Sequence, residues 1–412
     1  MSFSRQRVEA IPHAPGEGKP ARVLFAIPSM WLGGSERVLF TLLRHLDRSR
    51  FEPHLALLES DMLFKTLPER YDVLLNSLPK DVTVHVLGVT RARYAVLPLV
   101  RLCWKLRPRV VMSMSAHLNS AILSARPLLP KSMSLLAREG TNVTSREVTT
   151  NRLRFACYKY LYRLADAVIC QSDSMKKQFI CDFGIAPKKI TRIYNPVDID
   201  LIWTQAEQRP NPFSSEGPNL VAVGRLFPEK DHDLLLKCMP AIRAAFGTAM
   251  LTIVGAGPLE ATLKSRQREL GLDTCVRFVG FTPNPYPFLK HADLVVLSSV
   301  YEALPNVVLE ALALGKFVVS TNCSGALSEI ANTTSRIKIA AERTPECISA
   351  EVINVLNRAR TNAPPQGPEL AFAECFGHAN VIWAYETLLW NCVRPRIRQC
   401  ADSEKTLTPQ KR

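Results

Sequence analysis

The sequence predicts an α/β protein of two domains, each built on a mainly parallel sheet with helices on both faces. Two series of short, apolar, β-branched segments alternate with segments of helical periodicity, which is the pattern of parallel sheets. The chain has 412 residues, enough for two hydrophobic cores. Between the two series, residues 204–218 are rich in Gln, Glu, Pro, Ser and Asn and lack apolar periodicity, which indicates a linker.

The first domain is expected over residues 21–203, after a flexible tail at residues 1–20 that contains three prolines and two glycines. Its predicted strands lie at residues 22–27, 53–58, 82–87, 110–114, 133–137 and 167–171.

The second domain is expected over residues 219–375. Its predicted strands lie at residues 220–224, 251–255, 276–280, 294–297 and 317–320. Apolar residues at helical spacing predict a C-terminal helix over residues 376–392 that packs across the two domains. Residues 393–412 are expected to form a flexible basic tail.

Targeting features point to the cytoplasm. Residues 1–20 hold no apolar run of signal-peptide length, and no segment reaches the roughly 20 apolar residues of a membrane span. The eleven cysteines are scattered without C-x-x-C pairs, so we expect reduced thiols. We therefore expect a cytoplasmic protein that is soluble or lies peripherally on the cytoplasmic face of the inner membrane.

The formal net charge of the whole chain is +15, and most of this positive charge lies in the first half of the chain. Residues 1–200 hold 30 Lys and Arg against 17 Asp and Glu, and residues 201–412 hold 22 against 20. This asymmetry predicts an anionic partner for the first domain: a membrane surface, a phosphorylated acceptor or a nucleic acid. Nucleic acid is the least favoured of these, because no helix-turn-helix, zinc-finger or stacking-platform signature accompanies the charge.

Residues 152–163 alternate basic and aromatic side chains at helical spacing. Such a segment is typical of an interfacial helix that contacts anionic lipid. The alternative is an ordinary surface helix whose aromatic side chains face the core.

The segment at residues 297–315 is the strongest candidate for a ligand site. It follows a buried strand and leads into a helix that begins near Pro305. Its first-turn amides, including those of Asn306 and Val307, lack intrahelical acceptors and are suited to hold a phosphate. Glu302 and Glu310 bracket this turn and would accept hydrogen bonds from hydroxyl groups. A nucleotide sugar fits both features; the alternative is a capped strand–helix unit with two solvated carboxylates.

Other candidate residues also follow predicted strands of the second domain. Arg225 and Lys230 come after the strand at residues 220–224, where two cations would neutralise a diphosphate. The turn at Gly255 lets the chain pass close to a ligand, or simply turn.

In the first domain, adjacent glycines at Gly33 and Gly34 precede a helix and allow close approach to a ligand. His117, and the pair Arg138 and Glu139, follow the strands at residues 110–114 and 133–137. Ligands bind at the carboxyl ends of strands in open α/β sheets, so these side chains could line a site. A lone His is more often a structural hydrogen-bonding residue.

These motifs together resemble the retaining GT-B glycosyltransferases of family 4, or group 1. Glu302 and Glu310, in Tyr-Glu-Ala-Leu-Pro-Asn-Val-Val-Leu-Glu-Ala, are similar to the E-x7-E motif of that family. Four further motifs follow the order of the family: Gly-Gly-Ser-Glu-Arg-Val from Gly33, Tyr-Asn-Pro-Val-Asp from Tyr194, Gly-Arg-Leu from Gly224 with Lys230, and Ile-Val-Gly-Ala-Gly-Pro from Ile253. The first of these is similar to bacterial members that build lipopolysaccharide, capsule and lipid-linked oligosaccharides. Ala303 departs from the usual Gly of the family.

The resemblance implies two Rossmann-like domains facing each other across a cleft, with the acceptor mainly on the first and the nucleotide on the second. It implies a nucleotide-sugar co-substrate, in the family most often a UDP-sugar, a glycan or lipid-linked acceptor, and no obligatory metal. Arg225, Lys230, Glu302 and His117 are the expected catalytic residues, and Arg138 and Glu139 the expected acceptor contacts. The expected donor-binding residues are Gly33, Gly34, Gly224, Arg225, Lys230, Gly255, Phe281, Glu302, Leu304, Pro305, Asn306, Val307 and Glu310.

Three alternatives stay open at this point, as do the sugar, UDP against GDP, the acceptor hydroxyl and the oligomeric state. A nucleotide-sugar epimerase of the same architecture would convert the donor without an acceptor. A non-catalytic sugar-nucleotide-binding protein would bind the donor without turnover. A nucleic-acid glucosyltransferase would bind DNA in a salt-dependent way.

Overall fold

The protein is described as a computed structural model, which covers residues 19–30, 33–58, 77–140, 152–214, 217–361 and 368–393. Within these ranges, the side chains of residues 152–154, 360 and 361 are not described. The two predicted terminal tails lie almost entirely outside the described residues.

The first lobe is a seven-stranded parallel sheet with its helices. Its strands are Ala21–Ile27 (β1), Phe51–Leu57 (β2), Thr83–Val86 (β3), Val110–Ser113 (β4), Ser134–Arg138 (β5), Ala167–Cys170 (β6) and Ile190–Arg192 (β7). They lie in the order β3-β2-β1-β4-β5-β6-β7. The helices are Gly34–His45 (α1), Val96–Leu106 (α2), Ala116–Ser124 (α3), Arg152–Arg163 (α4) and Asp173–Cys181 (α5).

The second lobe repeats this architecture with six parallel strands. They are Asn219–Val223 (β8), Met250–Val254 (β9), Val276–Gly280 (β10), Leu294–Leu297 (β11), Val318–Ser320 (β12) and Ile337–Ile339 (β13), in the order β10-β9-β8-β11-β12-β13. The helices on this lobe are Ile199–Glu207 (α6), His232–Ala245 (α7), Glu260–Glu269 (α8), Tyr286–His291 (α9), Asn306–Ala313 (α10), Ala326–Ala331 (α11), Pro345–Thr361 (α12) and Leu370–Phe376 (α13).

Each sheet is buried on both faces, as the continuous apolar strands predict. Along β1, Leu24 joins one hydrophobic cluster and Phe25 the cluster on the opposite face. In the second lobe, Val221 and Ala222 divide between two clusters in the same way. The predicted fold class is therefore confirmed, and all eleven predicted strands are present within two residues of their predicted ends.

The chain crosses between the lobes twice, and the two crossings run side by side. Val197 forms a parallel β-bridge with Gly377, and the backbone N–H of His378 donates to the carbonyl of Val197 at 2.9 Å. The first crossing leads into α6, and the second leads into the C-terminal helix His378–Val393 (α14). Both crossings are therefore held by backbone hydrogen bonds rather than by loose loops.

The helices beside the crossings pack on opposite lobes. In α6, Ile202 and Ala206 are buried in a cluster of the second lobe, so the predicted linker at residues 204–218 begins inside a packed helix. In α14, Tyr385 and Leu389 pack against the first sheet. The C-terminal segment thus leaves the second lobe and ends on the first.

Helix α4 places most of its aromatic side chains toward the core. Tyr158 and Tyr162 are buried in the first lobe and Phe155 packs against the same cluster, whereas Tyr160 is 65% exposed. The interpretation of this segment as an interfacial helix is thus disfavoured, and the alternative, a surface helix with core-facing aromatics, fits these contacts. Within the described ranges, every helix is too short or too polar to span a lipid bilayer.

Candidate functional site

A cavity of about 600 Å³ lies between the two lobes at the carboxyl ends of the strands. Residues that follow β1, β5, β8 and β11 line it. In each sheet the strand order reverses at the central pair, β1 with β4 and β8 with β11, and crevices at such points are where open α/β sheets bind ligands. We call this space the interlobe cavity; its size is within the range of small-molecule sites.

Two helix N-termini face each other across the interlobe cavity. Helix α1 begins after Gly33 and helix α10 begins after Pro305, and neither of these N-cap residues caps its helix with a side-chain hydrogen bond. The side-chain amide of Asn306 donates to the carbonyl of Gly34 at 2.9 Å, which joins the two turns. First-turn amides and the positive ends of both helix dipoles thus point into one space, an arrangement that favours an anion.

Lys230 and Glu302 form an ion pair on the second-lobe side of this cavity. Both side chains are more than four-fifths buried, and Ser299 donates a hydrogen bond to Glu302 at 3.0 Å. A Cβ on Gly224 would lie 3.5 Å from the Lys230 side chain, so the strand end packs directly beside the lysine. The ammonium group is therefore held in one place by its carboxylate partner.

Arg225 lies at the open rim of the cavity. Its side chain is 66% exposed, and its guanidinium donates to Glu229 at 2.9 Å and lies over the Phe227 ring. Arg225 thus faces the cavity but is much less constrained than Lys230.

Glu310 is engaged by an arginine from the opposite lobe. Arg37, in the first turn of α1, forms an ion pair with Glu310 and lies over the ring of Tyr286, with 5.6 Å from the guanidinium carbon to the centroid. Arg37 belongs to the Gly-Gly-Ser-Glu-Arg-Val motif, but nothing in the spacing of that motif indicates that its side chain reaches across the cleft.

Glu36 is a second charged residue to which sequence reasoning gave no role. It lines the interlobe cavity, and a Cβ on Gly33 would come within 2.5 Å of its carboxylate oxygen. Burial raises the pKa of the Glu36 carboxyl to about 7, against the opposing influence of Arg225 and Arg138. The cavity therefore holds a carboxyl group that changes charge near neutral pH.

Arg138 presents a buried guanidinium to the cavity. The residue is fully buried; its Nε donates to the Tyr385 hydroxyl at 2.9 Å and its Nη2 donates to Asn195 at 2.7 Å. Its Nη1 has no hydrogen-bond partner among the described residues, although the residue lines the cavity. Asn195 in turn donates to Asn306, so Arg138 is connected to the first turn of α10. A buried, unsatisfied cationic donor is costly and is suited to an anionic ligand.

The structure brings most of the predicted site residues together. Besides the residues described above, the predicted Gly33, Gly34, Gly224, Leu304, Pro305, Asn306 and Val307 line the same cavity. The sequence analysis did not single out Glu36, Arg37, Gln171, Asn195 or Glu229, which also line it.

Gly255, Phe281 and Glu139 do not line the cavity. Gly255 has a φ of +151°, and a Cβ there would lie 1.8 Å from the carbonyl oxygen of Gly224, so Gly255 lies behind the cavity wall. Phe281 follows β10, at the edge of the second sheet, and is 36% exposed. Glu139 is fully buried and accepts a hydrogen bond from the Tyr162 hydroxyl, so it faces the core.

His117 lines a different cavity, of about 680 Å³, in the first lobe. It lies in the first turn of α3, and its Nδ1 is 3.3 Å from the hydroxyl of Tyr158. Arg91 and Arg93 line the same space together with a mainly apolar wall that includes Val96. We call it the first-lobe cavity.

The three-dimensional arrangement is similar to solved glycosyltransferase structures. Anabaena HepE in complex with UDP-glucose superimposes with a TM-score of 0.69 at 20% identity, over 90% of this chain and all of that chain. The protein therefore has the GT-B architecture, as the sequence resemblance implied.

Family models define the class of protein more closely. Residues 204–364 match the model described as glycosyl transferases group 1, and residues 32–201 match that described as glycosyltransferase family 4. Since the two matches together span most of the chain, the protein belongs to the group 1, or family 4, glycosyltransferases.

Two relatives show how far the similarity extends. The N-acetylgalactosamine-N,N'-diacetylbacillosaminyl-diphospho-undecaprenol 4-alpha-N-acetylgalactosaminyltransferase of Campylobacter jejuni is 27% identical over 319 residues, 74% of this chain and 81% of that protein. An uncharacterised glycosyltransferase of Methanocaldococcus jannaschii is 27% identical over 275 residues, 63% of this chain. The aligned part spans 66% of the archaeal protein.

Proposed function

We propose that the protein transfers a sugar from a nucleoside diphosphate sugar, specifically a UDP-sugar, to a glycan or lipid-linked acceptor. The transfer retains the anomeric configuration and serves cell-surface polysaccharide biosynthesis. The observation that carries this proposal is the convergence of two uncapped helix N-termini and the Lys230–Glu302 pair on one interlobe cavity. The solved HepE structures contain UDP and UDP-glucose, which supports the choice of donor.

The second lobe takes the donor in this proposal. The diphosphate lies against Lys230 and Arg225 and accepts hydrogen bonds from the first-turn amides of α10, at Asn306 and Val307. Glu310 accepts hydrogen bonds from the ribose hydroxyls, and Glu302 accepts them from the hydroxyls of the donor sugar. These roles agree with the charge and exposure of each group. The buried Lys230–Glu302 pair is fixed, whereas the exposed side chain of Arg225 can change its conformation as the phosphate moves.

The transfer needs one bond to break and one to form on the same face of the sugar. The bond from the anomeric carbon to the phosphate oxygen breaks, the acceptor oxygen bonds to that carbon, and the acceptor proton moves to the departing phosphate. Negative charge grows on the diphosphate during this step. Lys230 and the helix N-termini stabilise it because they are already oriented when the reaction begins.

The acceptor binds on the first lobe. We assign the glycan or the diphosphate of a lipid-linked acceptor to the first-lobe cavity, where Arg91, Arg93 and His117 lie beside an apolar wall. Arg138, with its unpaired Nη1, contacts an anionic group of the acceptor at the boundary with the donor. The named substrate of the Campylobacter relative is a diphospho-undecaprenol, a lipid-linked diphosphate, which supports this acceptor class.

A surface of exposed apolar and basic side chains lies next to the first-lobe cavity. Tyr94, Leu97, Trp104 and Leu128 are each more than half exposed. On α2, Leu97 and Trp104 share a helix face with the exposed basic residues Arg101 and Lys105. We call these six residues the α2 surface. Exposed apolar side chains among basic ones match an anionic lipid surface, and a peripheral position there would present a lipid-linked acceptor to the cavity.

The decisive experiment offers radiolabelled UDP- and GDP-sugars to the purified chain with membrane extracts that contain lipid-linked acceptors, and identifies products by mass. We expect the label in a lipid-linked product, and we expect NMR to show that the product keeps the anomeric configuration of the donor. The Glu302→Gln variant is the matched negative control. Conversion of the donor sugar without acceptor would instead support an epimerase, and binding without turnover a non-catalytic protein.

Lipid contact is tested separately by sedimentation with phosphatidylglycerol and phosphatidylcholine vesicles. We expect binding to the anionic vesicles alone, with loss in the Leu97→Glu variant. The Leu370→Glu variant is the control, because Leu370 is 75% exposed but lies on the second lobe. Equal binding of both variants would exclude the α2 surface.

A further inference from the structure

We propose that His45, Asp198 and His378 form a binding site for one divalent transition-metal ion, such as Zn²⁺ or Co²⁺, which clamps the junction of the two lobes. This site is separate from the sugar-transfer site and takes no part in the proposed chemistry.

The three side chains already lie close together. His45 Nε2 is 2.8 Å from one carboxylate oxygen of Asp198, and His378 Nδ1 is 3.9 Å from the other. The two imidazole rings stack with 4.2 Å between their centroids. One ligand atom from each residue lies within 4.8 Å of the other two. Tetrahedral bonds of about 2.1 Å need ligand atoms roughly 3.4 Å apart, so side-chain movements of about 1 Å suffice.

The donor set is suited to a borderline metal. Two imidazole nitrogens and one carboxylate are typical ligands of Zn²⁺ and Co²⁺, with a water molecule in the fourth position. Asp198 is largely buried, and the two imidazoles are about one quarter exposed, so an ion can enter from solvent. Asp198 Oδ1 caps α6 by accepting from the Leu201 backbone N–H at 3.1 Å, and Asp198 Oδ2, which lies 2.8 Å from His45 Nε2, is the oxygen that would bind the metal.

The position in the fold gives the ion a mechanical role. His45 ends α1 of the first lobe, Asp198 begins α6 on the second lobe, and His378 begins α14, which returns to the first. Asp198 and His378 immediately follow the bridged residues Val197 and Gly377 of the two crossings. A bound ion would therefore tie both crossings to the first lobe and resist any rotation of one lobe against the other.

The test is titration of the full, metal-stripped chain with Co²⁺, followed by visible absorption and calorimetry. We expect one equivalent bound with ligand-field bands of nitrogen and oxygen coordination and no thiolate charge-transfer band. Zn²⁺ should displace the Co²⁺ and raise the melting temperature. Activity is not the readout, so the result is independent of the proposed transferase function.

Matched variants assign the ligands. The His45→Gln and His378→Gln variants should each bind no Co²⁺ at this site, while His85→Gln should bind one full equivalent. His85 is the control because it also contacts another histidine, with its Nε2 3.1 Å from His54 Nδ1. Retention of the full equivalent in either ligand variant, loss in the control, or no binding by the wild-type chain would overturn the proposal. If a ligand variant does not fold, X-ray absorption of the wild-type Co²⁺ complex decides, since it must show two imidazole ligands.

Discussion

Replacing Lys230 by Ala tests the proposed stabilisation of the departing diphosphate. Lys230 is more than four-fifths buried and its position is fixed by Glu302 and the end of β8, so water cannot reproduce an ammonium group oriented in the same way. Loss of one oriented donor to the developing charge costs about 2.7 to 4 kcal/mol, a factor of about 100 to 1000 in kcat. We therefore expect turnover to fall by at least about 100-fold.

The assay measures transfer from saturating labelled UDP-sugar to the acceptor. Lys237→Ala is the matched control, because Lys237 also pairs with a carboxylate, Asp233, but on the exposed surface of α7 in the same lobe. Circular dichroism should show both variants folded. A kcat for Lys230→Ala within a few fold of wild type would refute the assignment of Lys230 to the diphosphate.

Three further outcomes are expected. Glu36 is mostly protonated below its pKa of about 7 and ionises above it. The ionised carboxylate repels the negatively charged UDP, so the ratio of the wild-type Kd for UDP to the Glu36→Gln Kd should rise with pH. Bound UDP should raise the pKa of Glu36 further, and each additional pKa unit corresponds to a rise of about tenfold in this relative Kd. Calorimetry between about pH 6 and 8 measures the Kd values. Gly255→Ala should lower the free energy of unfolding in urea by about 3 kcal/mol or more, whereas Gly247→Ala, with nothing within 4 Å of its Cβ, should change it little. Arg138→Leu should raise the acceptor KM about 10-fold or more, because it removes one charged hydrogen bond to the acceptor, and should change the donor KM less; equal changes in both constants would contradict an acceptor role.

The fold was largely predictable from the sequence because apolar runs in parallel sheets are continuous and their order follows the chain. The two strands that the sequence analysis missed, β7 and β13, have three residues each and take part in short edge pairings. Such a segment has too few apolar positions to be distinguished from a loop. The packing of α6 was also missed, because only two of its residues, Ile202 and Ala206, are buried.

Candidate site residues were predictable where they follow a strand or begin a helix. Lys230, Glu302 and the Pro305 turn lie in one cavity because carboxyl ends of parallel strands share one sheet edge. Arg37 reaches Glu310 only because the lobes face each other, and no local pattern encodes that contact. Glu139 directly follows Arg138, the last residue of β5, and is directed to the opposite side, as alternation along a strand requires.

A crystal structure of the chain with UDP would reveal the location of the diphosphate. We expect phosphate oxygens within hydrogen-bond distance of Lys230 Nζ and of the Asn306 and Val307 amides, with the ribose hydroxyls on Glu310. UDP bound outside the interlobe cavity, or bound there with its phosphates directed away from Lys230 and the α10 N-terminus, would contradict it.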